Sequence, residues 1–409
     1  MLPVTVKTGP FKWALLLLLV LGSLPARADS DQQLARASMD ALFRLQYDKA
    51  EQQIYMLGEQ NPDYHMLAFL RAGVLWLKAE SEQSGVDHKP SWTKAAAAYE
   101  VAIAQARAKL EQDPDSPQWR LALGMSQFYA ARTYVGLNQI INTYRYARAG
   151  RDTLRELIQT HPDSYDAYVA LGMYEYLAGS IPRSLKWLGY LFDISGDRAQ
   201  GVEYLRTTVE KSPLMSAEGA RLLIAAAALQ PEYVDNACQY LPLSRQTLRE
   251  FPQNPHFSAA YQFLHSNCGY AALALKENSH ARKVYLKDYP DMEKILNIVE
   301  LQTQRAQGNL KRLKEMKPLF AKRNTAYWHL AMAQYYDQQG QRQLALQHYH
   351  IIQNSQYFDY NPEEQHPDVL SNSENKDWLL DQVDIYLRTP YRNREPYAFD
   401  PATSLKLNQ

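Results

Sequence analysis

Six prolines, each between the charged end of one helical pattern and a residue able to open the next, constrain this chain more than any other feature. They are Pro62, Pro114, Pro162, Pro213, Pro252 and Pro290, in GEQNPDYHMLAFL, EQDPDSPQWRLAL, QTHPDSYDAYVAL, EKSPLMSAEGARLL, REFPQNPHFSAAY and KDYPDMEKILNIV. Proline stops a helix, and the Asp, Asn or Ser that follows can cap a new one. The intervals are wide from Pro62 through Pro213 and narrower from Pro213 to Pro290, so the early units are longer than the later ones. A repeat of this kind predicts an array of helical hairpins, each burying its apolar face only against its neighbours. Helix formers are plentiful and alternating β-branched runs are nearly absent, which predicts an all-α chain.

Within the units, the pattern resembles the tetratricopeptide repeat. In AYWHLAMAQYYDQQGQRQLALQHYHII, Met332-Ala333, Tyr336, Gly340, Ala345 and Tyr349 stand at that repeat's spacing. In YDKAEQQIYMLGEQNP, Ala50, Ile54, Leu57 and Pro62 read as a second helix, while Leu123-Gly124 and Leu171-Gly172 mark two first helices. Small residues are needed where the paired helices cross most closely, and aromatics fill the grooves beside them. The resemblance implies an α-solenoid over 29–355, wound as a right-handed superhelix with a concave face lined by first helices. Proteins of this class mostly bind other proteins.

Residues 1–28 read as a cleaved export signal, the alternative being an uncleaved N-terminal anchor. Lys7 and Lys12 precede the apolar run from Ala14 to Leu21, and Ala26-Arg27-Ala28 has the small-x-small form of a cleavage site. The expected location is the periplasm, with secretion as the alternative. Removing Lys7, Lys12 and Arg27 and no acid leaves 41 basic against 44 acidic residues. That near-neutral balance gives no reason to expect nucleic acid as a partner, and no later segment is long and apolar enough to span a membrane.

Between Leu171-Gly172 and Pro213 the chain holds more residues than a standard unit, and the surplus contains GSIPRSLKWLGYLFDISGDRAQG. Leu185, Leu188 and Phe192 form one helical stripe, with Trp187, Leu191 and Ile194 on the adjoining one, predicting an inserted apolar helix near 183–194. A helix apolar nearly all round favours burial over a partner patch or a membrane-lying helix. Asp197 followed by Gln200 has the form of a capping box for the helix after it. The block from Gly172 to Leu223 is similar to the signature of the tetratricopeptide repeat protein 39 and mitochondrial inclusion-body clearance family. Ser180-Ile181-Pro182, the apolar run, Gly196-Asp197-Arg198 and Gly201-Val202 match in order. This resemblance implies a non-enzymatic repeat scaffold in which Gly172, Pro182, Gly196, Asp197, Arg198 and Gly201 are structural. The export signal departs from those intracellular relatives, so their partners do not carry over.

Motifs for chemistry are missing from the chain: it has no HExxH, CxxC, GxSxG, P-loop or GxGxxG. His348 and His350 face different sides of one helix, whereas His329 can approach His348 across a hairpin; packing is the plainer reading of both. Cys238 and Cys268 lie on facing apolar sides at equal depth from the turn near Pro252 to Pro255. An exported chain can bond such a pair, the alternative being two buried thiols. The stretch FYAARTYVGLNQIINTYRYARAGRD supplies candidate partner-binding residues Phe128, Tyr129, Arg132, Tyr134, Asn138, Tyr144 and Arg145. Tyr and Arg dominate interface energetics, although tyrosines also simply fill cores. Phe128 and Arg132 fall near the concave side and Asn138 at a hairpin tip. Residues 356–409 lose the repeat and predict a capping helix, with Val383 and Tyr386 inward, followed by a loosely ordered tail.

Together these features predict a non-enzymatic, cofactor-free scaffold that binds an unidentified protein or peptide on its concave face. The alternative is a carrier of a lipid or apolar small molecule, lined by the 179–201 insertion.

Overall fold

A computed structural model describes residues 30–80, 89–180, 194–229, 237–290, 292–320, 325–354, 380 and 382–392. The export signal, Pro182, the apolar run at 183–193 and most of the stretch from 356 onward lie outside the described residues.

Every regular element among the described residues is helical. Helices α1 (30–43), α2 (Tyr47–Gln60), α3 (Leu67–Glu80), α4 (Lys89–Gln112) and α5 (Pro117–Gly136) come first. They are followed by α6 (Ile140–Thr160), α7 (Ala167–Gly179), α8 (Arg198–Lys211) and α9 (Ser216–Leu229). A short 3₁₀ turn, Ala237–Tyr240, leads into α10 (Leu241–Glu250), then α11 (Pro255–Asn267), α12 (Ala271–Tyr285) and α13 (Met292–Ala306). The series continues with α14 (Leu310–Glu315), α15 (Thr325–Gln338), α16 (Arg342–Gln353) and α17 (382–388).

Most helices pack against their sequence neighbours, and from α3 to α15 each odd-numbered helix also touches the next odd-numbered one. The odd helices therefore form one layer and the even helices a second. Burial follows the periodicity: α2 buries Ala50, Ile54 and Leu57 and turns its remaining face outward. That is the 3–4 residue spacing of one apolar stripe.

Two pairs of helices cross almost backbone to backbone. A methyl group on Gly150 of α6 would lie 2.8 Å from the Phe128 amide nitrogen and 3.0 Å from the Gly124 carbonyl of α5. One on Gly201 of α8 would lie 2.6 Å from the Tyr176 nitrogen and 2.8 Å from the Gly172 carbonyl of α7. Leu154 and Leu205, both fully buried, fill the space beside these crossings. The Pro turns are tied across repeats by polar side chains. Buried Asp166 accepts hydrogen bonds from the Ser212 hydroxyl and from the Leu214 and Met215 amides, the last two at 3.0 and 3.1 Å, which fixes the entry to α9.

The odd layer curls far enough for the end of α1 to meet the turn between α10 and α11. Arg44 donates to the Glu250 carbonyl, Asn254 Nδ2 donates to the Phe43 carbonyl at 3.0 Å, and the Phe43 ring packs on Phe251 and Phe257. Met39, Leu42 and Phe43 also line a cavity of about 20 Å³ with Phe69 and Trp76 of α3, Tyr129 of α5 and Glu218 of α9. That is room for about one water molecule.

Cys238 and Cys268 are joined by a disulfide, with their Cα atoms 5.7 Å apart. Cys238 sits in the 3₁₀ turn ahead of α10 rather than inside a helix, and Cys268 caps the C-terminus of α11. At the far end, Val383 and Tyr386 of α17 are buried against the α15–α16 hairpin.

Candidate functional site

The candidate partner-binding residues separate into two groups. Phe128, Tyr129 and Tyr134 are buried, at 5%, 4% and 7% exposure, because α5 is enclosed by α4, α6 and α7 and by the inner contacts of the curled layer. Asn138, Tyr144 and Arg145 lie on or beside the connection between α5 and α6, where Asn138 and Arg145 are exposed and Tyr144 is half-buried. Asn138 takes φ +56°, a left-handed conformation that Asn tolerates, and this closes the tight turn.

Arg132 points inward to a buried cluster. Its Nη1 donates to Glu218 Oε1 at 2.9 Å, while Arg221 Nε and Nη2 donate to the two oxygens of the same carboxylate, both at 2.7 Å. The Arg132 guanidinium also lies 4.1 Å from the Trp76 ring centre and 5.2 Å from that of Tyr129. Burial alone would raise the Glu218 pKa, but Arg221 and then Arg132 outweigh it and hold the carboxyl at about 2. Tyr129 is pushed far up, first by burial and then by Glu218. At neutral pH this is a fixed carboxylate between two guanidiniums beside un-ionised phenols. The arrangement has no poised base or nucleophile, and it links α5 to α9 across the odd layer.

Tyr134 does a similar task nearer the α5–α6 tip. Its ring stacks on Tyr146 with centroids 5.3 Å apart, and both hydroxyls donate to Glu100 Oε1. One carboxylate of α4 thus gathers α5 and α6. Arg145 lies over the Tyr146 ring at 4.8 Å, and Arg148 donates to the Tyr144 hydroxyl at 3.0 Å.

The signature residues inside the described region meet at the α7–α8 junction. Asp197 Oδ1 caps α8 by accepting from the Ala199 and Gln200 amides at 2.8 and 3.2 Å. The reciprocal half of the expected capping box is supplied differently. Gln200 Nε2 turns to Tyr204, and the Asp197 amide instead donates to Glu175 Oε2 of α7 at 3.0 Å. Glu175 Oε1 in turn accepts from Arg155 of α6. Gly196 lies where a methyl would strike the Glu175 carbonyl at 2.5 Å and the Gly179 amide at 2.6 Å, and Arg198 opens α8 against Gly179. Gly172, Gly196, Asp197, Arg198 and Gly201 thus form one close helix junction.

His329 and His348 do meet, Nδ1 to Nδ1 at 2.8 Å, between Trp328 and Tyr336. Burial pushes both pKa values down, His329 to about 4; the His348 charge and then Lys317 add to this at His329, and Lys317 adds to it at His348. One neutral ring therefore donates to the other. Among the described residues, no group of three or more His, Cys, Asp or Glu side chains is placed to hold a metal, and no helix is long and apolar enough to cross a membrane.

Glu218 and Arg221 are the residues sequence reasoning missed. The signal was present: an acid and a base three apart in SAEGARLLIAAAAL, an otherwise apolar helix. Their third partner, 86 positions earlier in sequence, left none. No protein-family model matches this chain, and no curated protein is similar to it at a significant level.

Proposed function

We propose that this chain is an exported, non-enzymatic α-solenoid of the tetratricopeptide type, wound as a right-handed superhelix, that binds a protein or peptide on its inner row of helices. Support for the repeat type comes from the alternating two-layer packing, the glycine crossings at Gly124–Gly150 and Gly172–Gly201, and Ala345 and Tyr349 buried in the last hairpin. The junction at Gly196-Asp197-Arg198 suits the structural role that the inclusion-body clearance resemblance implies.

The observation that carries the binding reading is the seating of α1. An amphipathic helix bearing Met39, Leu42 and Phe43 docks across α3, α5, α9 and α11, the Phe43 ring meeting Phe251 and Phe257 and the Arg44 guanidinium lying 5.2 Å from the Phe251 ring centre. The inner row already accepts one helix with this chemistry. A partner helix or extended peptide reads the same aromatic and charged surface where it continues beyond α1. Because Arg132 is committed to Glu218, a partner engages Tyr144, Arg145 and exposed inner-row positions such as Leu177 (48% exposed) before it reaches α5.

The test is photo-crosslinking in the native cell from a reactive residue at Leu177 or Tyr144 of the full chain. A discrete protein adduct at either position supports the scaffold. Lipid adducts at Leu177 in place of protein would favour the apolar-carrier alternative, and the absence of any protein adduct from both positions would overturn the reading.

A further inference from the structure

We propose that the tip of the α5–α6 hairpin is a contact site for an anionic lipid surface, an inference that stands apart from the scaffold reading. Three observations meet there, and the first is reach. Past the glycine crossings, α5 runs from Gly124 on to Gly136, whereas α7 stops at Gly179, much sooner after Gly172. Similarly α6 begins at Ile140, well ahead of Gly150, whereas α8 begins at Arg198, immediately before Gly201. On the other side of the crossing α6 and α8 continue equally far, from Gly150 to Thr160 and from Gly201 to Lys211, so the added length lies at the tip. At about 1.5 Å per helical residue the hairpin overhangs the described helices of its successor by roughly 8–10 Å. The start of α4 flanks it, since Trp92 fills the space beside Gly136.

The second observation is what the overhang displays. Ile140 and Ile141 are 81% and 83% exposed, and Val135 is 45% exposed. Ile140 and Ile141, side by side at that exposure, gain nothing from the fold and form a contiguous apolar point rather than a singly scattered residue.

The third is charge. From Ser116 to Arg151 the chain carries five arginines and no acid, and the start of α4, from Lys89 to Tyr99, carries two lysines and no acid. Lys89 and Lys94, in the first turns of α4, and Arg145 and Arg148, in the first turns of α6, are exposed. Ile141, Arg145 and Arg148 share one face of α6 by helical spacing. Arg148 lies 3.8 Å from the carboxylate of Asp152, which sits a turn further from the tip. The nearby Glu100 accepts from the two tyrosine hydroxyls. The N-terminus of α6 adds its positive dipole end at the same place.

An apolar point that enters the headgroup region by roughly 5–10 Å, rimmed by cations, matches an interface bearing anionic lipid. Overall charge does not predict this, because the chain as a whole carries equal numbers of acids and bases.

The experiment is co-pelleting of the full chain with phosphatidylcholine vesicles and with vesicles that also contain phosphatidylglycerol. Binding to the anionic vesicles, weakened by salt, is expected. The double variant Ile140→Asp/Ile141→Asp should lower partitioning by at least roughly tenfold, since it removes both inserting side chains and adds repulsion. Its melting temperature should not change, which separates this outcome from unfolding. Arg145→Glu should lower partitioning a few-fold and flatten its salt dependence. Failure of the full chain to bind anionic vesicles, equal binding to both vesicle types, or full binding by the double variant would each overturn the proposal. So would loss of a crosslinked protein partner in the double variant with vesicle binding intact, which would make the tip a protein-docking surface.

Discussion

The front and the back of the array use glycine in opposite ways. From α5 to α8 the crossing glycines sit inside helices: Gly124, Gly150, Gly172 and Gly201 let two helices meet where no side chain fits. From α11 to α16 they sit outside helices: Gly269, Gly308 and Gly340 take φ of +86°, +70° and +69° and close tight turns. The polar interior differs as well. The front buries one carboxylate between two guanidiniums, in the cluster of Arg132, Glu218 and Arg221, whereas the back has a disulfide, the amide chain of Gln262, Asn278 and the Leu296 carbonyl, and the single pair of Asp337 with Arg342. The front is thus held by close approach and charge, and its long units make that contact extensive. The back consists of shorter hairpins held by turns, one covalent bond and the Asp337–Arg342 pair, whose guanidinium also donates to α17.

The sharpest break of this comparison comes from Glu218→Ala. It leaves two buried guanidiniums without their acid, a loss of about 3–5 kcal/mol for a broken buried pair. Chemical denaturation of the variant should show that loss. The pH dependence follows from the same cluster. Glu218 has its folded pKa depressed from 4.5 to about 2, so its contribution is complete above about pH 4.5 and disappears as pH falls toward 2. The buried histidines act in a different window. His65, His265 and His329 are depressed from 6.5 to about 4, 3 and 4, chiefly by burial, so their neutral forms stabilise the fold fully above pH 6.5 and lose that contribution as pH falls. Stability measured from pH 7 to 2 should fall in two stages, and Glu218→Gln should remove the lower one. Retention of the lower stage in that variant would show that the front does not depend on this charge.

Reduction is the equivalent test at the back. Cutting the bond between Cys238 and Cys268, which are 30 positions apart, should cost roughly 3 kcal/mol, and Cys238→Ser/Cys268→Ser should match it. Melting with and without reductant measures the effect. Combining the double serine variant with Glu218→Ala should give additive losses, because the two sites share no partner.

Much of the helical array was legible in the sequence because its determinants are local. Prolines end helices, Asn254 and Asp197 cap the helices that follow, and the stripe Ala50, Ile54, Leu57 marks a face. The cysteine pair could be read because its two members flank one hairpin, that of α10 and α11. What could not be read depends on how the layer curls. Arg132 looks like an interface residue in its own stretch, but the acid that claims it comes from α9. The substitution Arg132→Ala is therefore expected to weaken the fold itself. The same curvature brings Phe43 to Phe251, and no local pattern encodes that meeting.

The two classes of glycine provide the smaller tests. Gly201→Ala should destabilise by about 2 kcal/mol. The new methyl meets the Tyr176 backbone at 2.6 Å, an overpacking cost of roughly 1–3 kcal/mol that the better helix propensity of alanine only partly offsets. Backbone atoms lie on the far side, so the α7–α8 crossing has to open, and Leu205 should lose packing with it. A larger substitution there, Gly201→Leu, should cost several times more.

Gly340→Ala should have the smallest effect, about 1 kcal/mol, and for a different reason. No atom lies within 4 Å of the added methyl, so packing is untouched; the cost comes from holding alanine at φ +69°. Gly340→Asn should recover part of that loss, because asparagine tolerates the left-handed region, whereas Gly201→Asn should be worse than Gly201→Ala because it is bulkier. The sign of the alanine-to-asparagine step therefore separates a conformational glycine from a steric one, independently of the absolute stabilities. If asparagine were the poorer substitute at both positions, the turn at Gly340 would be limited by space as well, and the contrast between front and back would fail.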